Sequence, residues 1–362
     1  MFRQSTNVPN SQAFVMSTLK QSLPWTQSPL IINAPMAGFA GGALASAVTL
    51  AGGLGLIGTD TDMNRARKEC RIAADTTASG ASIPSLGVLP VGIGFLTFIA
   101  KLDEAMSVVA EFKPAVVWLF AGKTFDQYAE WAIAARNASP ESKIWVQAGS
   151  VAAALHVART AKPDALCLQG ADAGGHGFEK GAGIVSLVPE VSDALAREGF
   201  SHVALLAAGG IVDGRGVAAA LALGADGVVM GTRFLASNEV VVHSKYQAAV
   251  LEAKDGGQVT TRSRIFDQLN GPSIWPKEYD GRSLVIRSHQ DHISGVGLDE
   301  IQRLYKVAVK ADDKGFGTAL QGRAAIWAGT GVGLVNNVES AAAIVEGTRK
   351  DAKEKLSKAA KL

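Results

Sequence analysis

The chain has 362 residues, of which 48% are hydrophobic and 19% are charged, a composition that excludes a disordered or fibrous protein and suits a globular α/β enzyme. Its formal net charge of +2 is too small to favour nucleic-acid binding, and we expect neither a leader peptide nor a membrane span. With only two cysteines, Cys70 and Cys167, the sequence predicts a protein without disulfides in a reducing compartment.

Short apolar runs recur through the first two thirds of the chain, each followed by a turn and a helical stretch. Because buried parallel strands are nearly continuous apolar runs, this alternation predicts a parallel sheet covered by helices. Eight such units closing on themselves give a (β/α)8 TIM barrel, and an open doubly wound sheet is the alternative. The predicted strands are Leu30–Asn33, Leu54–Ile57, Ser85–Leu89, Ala115–Phe120, Lys143–Gln147, Ala165–Leu168, Val203–Ala207 and Gly227–Met230, and the clearest helices are Gly42–Ala51, Phe125–Asn137, Val151–Thr160 and Gly214–Leu223.

The strand and helix rhythm stops after Phe234, and we divide the chain at that point. Residues 1–235 are assigned to the barrel, with 1–28 as an N-terminal extension. Residues 236–325 are expected to form a helical insertion or cap over one barrel end. Residues 326–362 begin as a glycine-rich segment that returns towards the site and finish as a helix, whose basic residues at 349–355 are interpreted as a solvated face.

The C-terminal tripeptide Ala360-Lys361-Leu362 is a conservative variant of the Ser-Lys-Leu peroxisomal address. Such an address is read by a receptor and does not anchor a protein to a membrane. A frayed helical tail is the alternative interpretation, so the sequence leaves a cytoplasmic and a peroxisomal location open.

The run Gln169–Gly177 places the imidazole of His176 in a glycine-rich loop directly after a predicted strand. Glycines in such a loop favour tight turns and close approach of the backbone to a ligand. Histidine, with a reference pKa of about 6.5, can take or give a proton near neutrality. A flexible surface loop with an incidental histidine is the alternative. Asp172 either orients the imidazole or shapes the turn, and we favour the turn.

In a βα barrel the ligand site lies at the carboxyl ends of the strands, often with a phosphate after the last two. Here those ends carry Gly209, Gly210 and Gly231, whose backbone N–H groups are expected to cradle a phosphate with the Thr232 hydroxyl. A packing or turn role is the alternative for these glycines. Arg233 pairs either with the phosphate or with a surface carboxylate.

Five motifs in the same order, Asn33–Gly38, Ala51–Gly58, Gly92–Phe95, Gln169–Gly177 and Ala208–Arg233, resemble the nitronate monooxygenase family, formerly the 2-nitropropane dioxygenases. The length and the helical C-terminal portion resemble its fungal members. The resemblance implies a βα barrel that binds FMN and uses O2 to convert alkyl nitronates to a carbonyl compound and nitrite. Whether neutral nitroalkanes are also substrates is left open by the sequence. By that resemblance His176 is the catalytic base, and the flavin is held by Ala34, Pro35, Met36, Gly94, Gln147, Gln169, Gly174, Gly175, Ala208, Gly209, Gly210, Met230, Gly231 and Thr232.

Two other functions stay open at this point: an FMN-dependent enoyl-acyl-carrier-protein reductase that uses NAD(P)H, and a non-catalytic flavin-binding barrel. Trp118, Phe120 and Trp327 either line an apolar substrate pocket or pack in the core. His289 and His292 lack a third plausible ligand nearby in sequence, so no metal is predicted. The expected partners are a small-molecule substrate and O2, and both a monomer and a homodimer are compatible with the sequence.

Overall fold

The computed structural model describes residues 19–78 and 87–361. Its largest sheet has eight strands, which are all parallel to their neighbours. They are β1 (Leu30–Asn33), β2 (Leu56–Gly58), β3 (Leu89–Leu96), β4 (Pro114–Phe120), β5 (Lys143–Ala148), β6 (Ala165–Gln169), β8 (Ala204–Ala208) and β9 (Gly227–Met230). In space they follow the order β1-β9-β8-β6-β5-β4-β3-β2, with helices between them. The (β/α)8 TIM barrel predicted from the sequence is therefore confirmed.

Helices cover the outside of this barrel and bury one apolar face each against the strands. After the strands come α1 (Gly42–Leu50), α2 (Met63–Ala78), α3 (Leu102–Phe112), α4 (Gln127–Ala138), α5 (Val151–Thr160), α6 (Ile184–Arg197) and α7 (Gly214–Ala222), and α13 (Ala341–Ala359) is the last helix. Because α13 packs between α7 and α1, it occupies the place of the eighth barrel helix. The sequence analysis had placed this helix in a separate C-terminal segment. Leu362, which ends the candidate peroxisomal address, lies outside the described residues, and that location stays a prediction.

The third barrel strand was predicted at Ser85–Leu89, and the structure places it further along the chain. Residues 85 and 86 lie outside the described residues. The strand begins at Leu89 and continues through Pro90, Gly92 and Gly94 to Leu96. Proline and glycine argue against a strand in local sequence, but here the glycines permit close contact. A Cβ at Gly92 would lie 2.3 Å from the Leu56 side chain on the neighbouring strand. The tight fit at the centre of the barrel therefore overrides the local signal.

One side chain joins the two ends of the sheet. The Asn33 amide, which is fully buried, donates from Nδ2 to the Leu56 carbonyl oxygen at 2.8 Å and accepts from the Leu56 N–H at 2.9 Å. These bonds replace the ladder that β1 and β2 would otherwise form, because only an isolated bridge between Ile32 and Leu54 links them. The amide of Asn33 therefore closes the barrel.

We expect Asn33→Leu to lower the free energy of unfolding by about 3 kcal/mol, because both polar groups of Leu56 would lose their partner in a buried place. Chemical denaturation of the variant beside the parent protein measures this change. Asn137→Leu makes the same replacement at an exposed helical position and serves as the control. Similar losses in the two variants would contradict a closing role for Asn33.

The solvated face expected at residues 349–355 is wrong for its first residue. Arg349 is only 5% exposed, and its guanidinium donates to the carbonyl oxygens of Ala51 at 3.0 Å and Gly52 at 2.8 Å. Burial lowers the pKa of Arg349 from its ordinary value. Lys353 and Lys355 are exposed, as expected. Arg349 therefore fixes α13 to the loop between α1 and β2 at the amino-terminal end of the barrel.

The segment between β9 and α13 is an insertion that covers the other end. It contains α8 (Ser244–Glu252), α9 (Gly256–Val259), α10 (Ile265–Gln268), α11 (Arg287–Ile293) and α12 (Leu298–Ala308), together with the strands β10 (Thr260–Ser263) and β11 (Tyr279–Leu284). We call this segment the cap. Its strands form an antiparallel sheet in the order β10-β11-β7, in which β7 (Gly175–Phe178) belongs to the loop after β6. Helices were predicted for this segment, and the two strands were not, because β10 and β11 are polar and lack apolar alternation.

None of the helices in the described part of the chain is long and apolar enough to cross a membrane. Cys70 and Cys167 are both free and buried. Burial raises the pKa of the Cys70 thiol to about 12 and also raises the pKa of the Cys167 thiol.

Candidate active site

A cavity of about 320 Å³ lies at the carboxyl ends of the barrel strands, beneath the cap. Its walls come from the ends of the barrel strands, from the loop that carries His176, and from Trp275 and Trp327. The residues that the sequence analysis named and that line the cavity are Ala34, Pro35, Met36, Gly94, Gln147, Gln169, Gly174, Gly175, His176, Ala208, Gly209, Gly210, Gly231 and Thr232, with Trp118, Phe120 and Trp327. None of the described lining residues is a lysine, arginine, aspartate or glutamate.

Met230 is the one predicted flavin-binding residue outside this lining. Its side chain is fully buried in the core between the strands and the outer helices. Successive side chains of a strand point to opposite faces, so the strand that brings Val229 and Gly231 to the cavity turns Met230 away from it. The backbone carbonyl oxygen of Met230 accepts from the Ala34 N–H at 2.9 Å.

Glycines after β8 and β9 leave backbone donors free. Gly209 and Gly210 have φ angles of +111° and +74°, which other residues rarely adopt. The N–H groups of Gly209, Gly210 and Gly231 donate to no other described residue. Thr232 lies beside them, and its Oγ1 accepts from the Gly329 N–H at 3.0 Å, which leaves its own proton available. This group of donors is suited to an anion.

Arg233 does not join these donors. Its guanidinium is ion-paired with Glu339 and donates to the Asn337 carbonyl oxygen at 3.2 Å. Of the two partners considered from the sequence, the carboxylate is therefore the one that the structure shows. An anion in the cavity would be held by uncharged donors.

Two further glycines and one glutamine line the cavity. A Cβ at Gly94 would lie 2.6 Å from the Pro35 Cβ, and a Cβ at Gly174 would lie 2.4 Å from the backbone of Ala328. Gln169 donates from Nε2 to the His176 carbonyl oxygen at 3.0 Å, while its Oε1 is buried without a partner among the described residues. A buried acceptor without a partner costs free energy.

His176 lies on β7, opposite Gly281 of β11. Its Nε2 is 2.6 Å from Oδ1 of Asp267, and the side chains of the two residues are only 14% and 6% exposed. The imidazole stacks on Trp275, with ring centroids 3.7 Å apart and an angle of 6° between the planes. The Trp327 ring lies on another side of it, with centroids 4.7 Å apart. The ring is therefore held in one orientation at the cavity wall.

Asp172 contacts the return segment and has no hydrogen bond to the imidazole of His176 among the described residues. Its Oδ1 accepts from the Thr330 hydroxyl at 3.0 Å, and its carbonyl oxygen accepts from the Thr330 N–H at 3.0 Å. These bonds tie the loop after β6 to the glycine-rich return segment, whose Gly331 lines the cavity. The carboxylate that touches the imidazole belongs to Asp267 instead.

Sequence reasoning missed Asp267 and Trp275. Asp267 is 91 residues from His176 along the chain, and nothing in the local pattern of Ile265–Gln268 marks it. Trp275 did carry a signal, because it lies between Pro272 and Pro276 in a segment that proline makes stiff. An aromatic residue in such a segment is suited to covering a ligand.

His289 and His292 both lie on α11. Among the described residues, no group of three or more histidine, cysteine or acidic side chains is placed to hold a metal ion. His289 stacks on Phe266, with centroids 5.7 Å apart, and burial followed by the nearby His292 lowers its pKa.

The chain is a TIM barrel with a glycine-lined cavity at the carboxyl ends of its strands, and one imidazole lies on the cavity wall. This arrangement is typical of βα-barrel enzymes. The family model described as nitronate monooxygenase matches residues 103–349. The chain belongs to the nitronate monooxygenase family and is an oxidoreductase of this type.

Two relatives match over nearly their whole length. The chain is 46% identical to the nitronate monooxygenase npaC of Metarhizium robertsii over 346 residues, which are 94% of this chain and 95% of the relative. It is 35% identical to the nitronate monooxygenase of Neurospora crassa, over 98% of this chain and 97% of the relative. Both matches cover the barrel and the cap together.

Two solved structures resemble the whole chain. FabK from Thermotoga maritima superposes with a TM-score of 0.72 at 26% identity, over 95% of this chain and 98% of that one. A nitroalkane oxidase from Streptomyces ansochromogenes superposes with a TM-score of 0.71 at 25% identity, over 95% of this chain and 100% of that one.

Proposed function

We propose that the protein uses bound FMN and O2 to oxidise alkyl nitronates to a carbonyl compound and nitrite, and that His176 also lets it begin from neutral nitroalkanes. One observation carries this proposal: His176 is the only imidazole on the wall of a cavity whose other described lining residues include no acidic or basic side chain. Membership of the nitronate monooxygenase family supports the substrate class.

The residues around the cavity fit FMN. The free N–H groups of Gly209, Gly210 and Gly231 and the Thr232 hydroxyl would hold its phosphate. Gln169, which lines the cavity, would contact its ring system. When bound, FMN supplies the redox chemistry, in which electrons pass from the substrate to O2.

His176 would act on the proton that a neutral nitroalkane carries at its α carbon. That C–H is acidic because the nitro group delocalises the resulting charge, and a neutral imidazole within reach removes such a proton. The imidazolium that forms would then stabilise the nitronate anion in a cavity with apolar walls, where electrostatic attraction is strong. A nitronate supplied from solution needs no deprotonation and would rely on His176 only for charge stabilisation.

An absorbance spectrum followed by anaerobic substrate addition tests this function. We expect a yellow protein that releases FMN on acid denaturation and is bleached by ethylnitronate without oxygen. In air, ethylnitronate should yield equal amounts of acetaldehyde and nitrite. Bleaching by NADH or NADPH but not by ethylnitronate would favour the reductase and contradict the proposal, as would a colourless protein that takes up no FMN.

A further inference from the structure

Asp267 is the strongest feature that the proposed function leaves unused. It contacts His176 from the cap, a part of the chain outside the barrel strands. We propose that Asp267 is a positioning residue that holds the proton of the His176 imidazole on Nε2 and leaves the lone pair of Nδ1 for the substrate. The proposal rests on the proposed function for its catalytic meaning, but the position of the proton can be measured without turnover.

The hydrogen bond between the two residues fixes the tautomer. A carboxylate has no proton to donate, so at a separation of 2.6 Å Nε2 of His176 must be the donor to Oδ1 of Asp267. A neutral imidazole carries one proton, and Nδ1 is then the basic nitrogen. Nδ1 donates to and accepts from no described residue, and it is not among the enclosed polar atoms that lack a partner. Nδ1 is therefore not fully enclosed, and no described residue competes for its lone pair.

Burial of the Asp267 carboxylate beside His176 costs free energy. The Asp267 side chain is only 6% exposed, and its Oδ2 is enclosed without a partner among the described residues. Leaving one oxygen of a buried carboxylate without a hydrogen bond costs free energy. Protonation of the imidazole would place a positive charge beside this carboxylate, and the attraction between them would stabilise the imidazolium at the moment when the base has taken its proton.

The core of the cap holds Asp267 in place. Its neighbours Ile265 and Phe266 are buried among Leu269, Ile286 and Ile301. Phe266 also contacts the edge of Trp327, whose ring packs against His176. The carboxylate thus reaches the imidazole from a rigid element, as precise positioning requires.

The test measures the imidazole nitrogens of His176 by ¹⁵N NMR in protein labelled only at its six histidines. His176→Asn assigns the His176 signals by their loss. We expect parent protein to show a proton on Nε2 and none on Nδ1. In Asp267→Asn the new amide can donate to Nε2, so the proton should move partly or wholly to Nδ1, and Asp267→Glu should restore the parent pattern. An unchanged pattern in Asp267→Asn, or a parent protein with its proton on Nδ1, would overturn the proposal.

A kinetic comparison separates positioning from folding. In Asp267→Asn we expect kcat/KM for nitroethane to fall about 100-fold and that for ethylnitronate to fall less than about fivefold, since only nitroethane needs the base. Asp299→Asn makes the same replacement at an exposed helical position and should leave both values unchanged. Equal losses on both substrates would overturn the positioning role. If parent protein oxidised neither substrate, the proposed function would fail while the NMR result would still decide the role of Asp267.

Discussion

Replacement of His176 by Asn is expected to lower kcat/KM for neutral nitroethane by about 100- to 10,000-fold, the range that a well-placed general base contributes. For preformed ethylnitronate we expect a loss of no more than about tenfold, because this substrate arrives already deprotonated. The reason is structural: among the described residues that line the cavity, no carboxylate or second imidazole is available to replace the lost base. Steady-state rates with each substrate, followed by oxygen consumption, measure the two losses.

His202→Asn is the matched control, because His202 is exposed and does not line the cavity. It should leave both rates unchanged. The flavin spectrum and the melting temperature of His176→Asn should stay close to those of the parent protein, which excludes loss of cofactor or fold. Equal losses on nitroethane and ethylnitronate would contradict the assignment of His176 as a base.

Replacement of Gly231 by Val is expected to weaken FMN binding by about 10- to 100-fold without unfolding the protein. A Cβ at Gly231 would lie 3.6 Å from the Ala34 Cβ and 3.8 Å from the Met36 Sδ, which are ordinary contacts with two other residues of the cavity wall. The backbone at this position therefore has room for a Cβ, and we expect the two methyl groups of valine to extend into the space assigned to the phosphate. An overpacked site of this kind typically costs about 1–3 kcal/mol.

Titration of the FMN-free protein with FMN, followed by flavin fluorescence, measures this affinity. Gly347→Val is the control, since a Cβ at this exposed position of α13 meets no atom within 4 Å. It should bind FMN like the parent protein. A Gly231→Val variant that melts at the parent temperature and still binds FMN with parent affinity would contradict the phosphate site.

The barrel strands show which part of the fold local sequence can predict. Leu30–Asn33 and Gly227–Met230 were predicted with their observed bounds. Each consists mainly of adjacent apolar residues, and a proline or a glycine follows within two positions. The third strand was misplaced because Pro90, Gly92 and Gly94 break the apolar pattern. Its glycines are needed where Leu56 and Pro35 approach, and a contact between distant residues leaves no mark in a local pattern.

The cavity residues also divide into those that local sequence predicts and those that depend on contacts between distant parts of the chain. Its glycines were predicted from the sequence because positive φ angles and close backbone approach restrict the residue type at the position itself. Met230 was assigned to the cavity with its neighbours, although the alternation of side chains along β9 places it in the core. The sequence offered a carboxylate as one of two partners for Arg233 but did not identify Glu339, and it missed the carbonyl partners of Arg349, because these groups are far away in sequence.

The sequence by itself determined the barrel and the glycine-lined strand ends, since each of these follows from hydrophobic periodicity or from a backbone constraint at one residue. His176 was predicted in a loop, but it lies on β7, because that segment pairs with β11 of the cap. Only the tertiary structure decided what surrounds the imidazole. Asp267 and Trp275 meet His176 because the cap folds back over the barrel and β11 pairs with β7. Such contacts depend on how whole elements pack, and their free energy is shared among residues that are far apart in the chain.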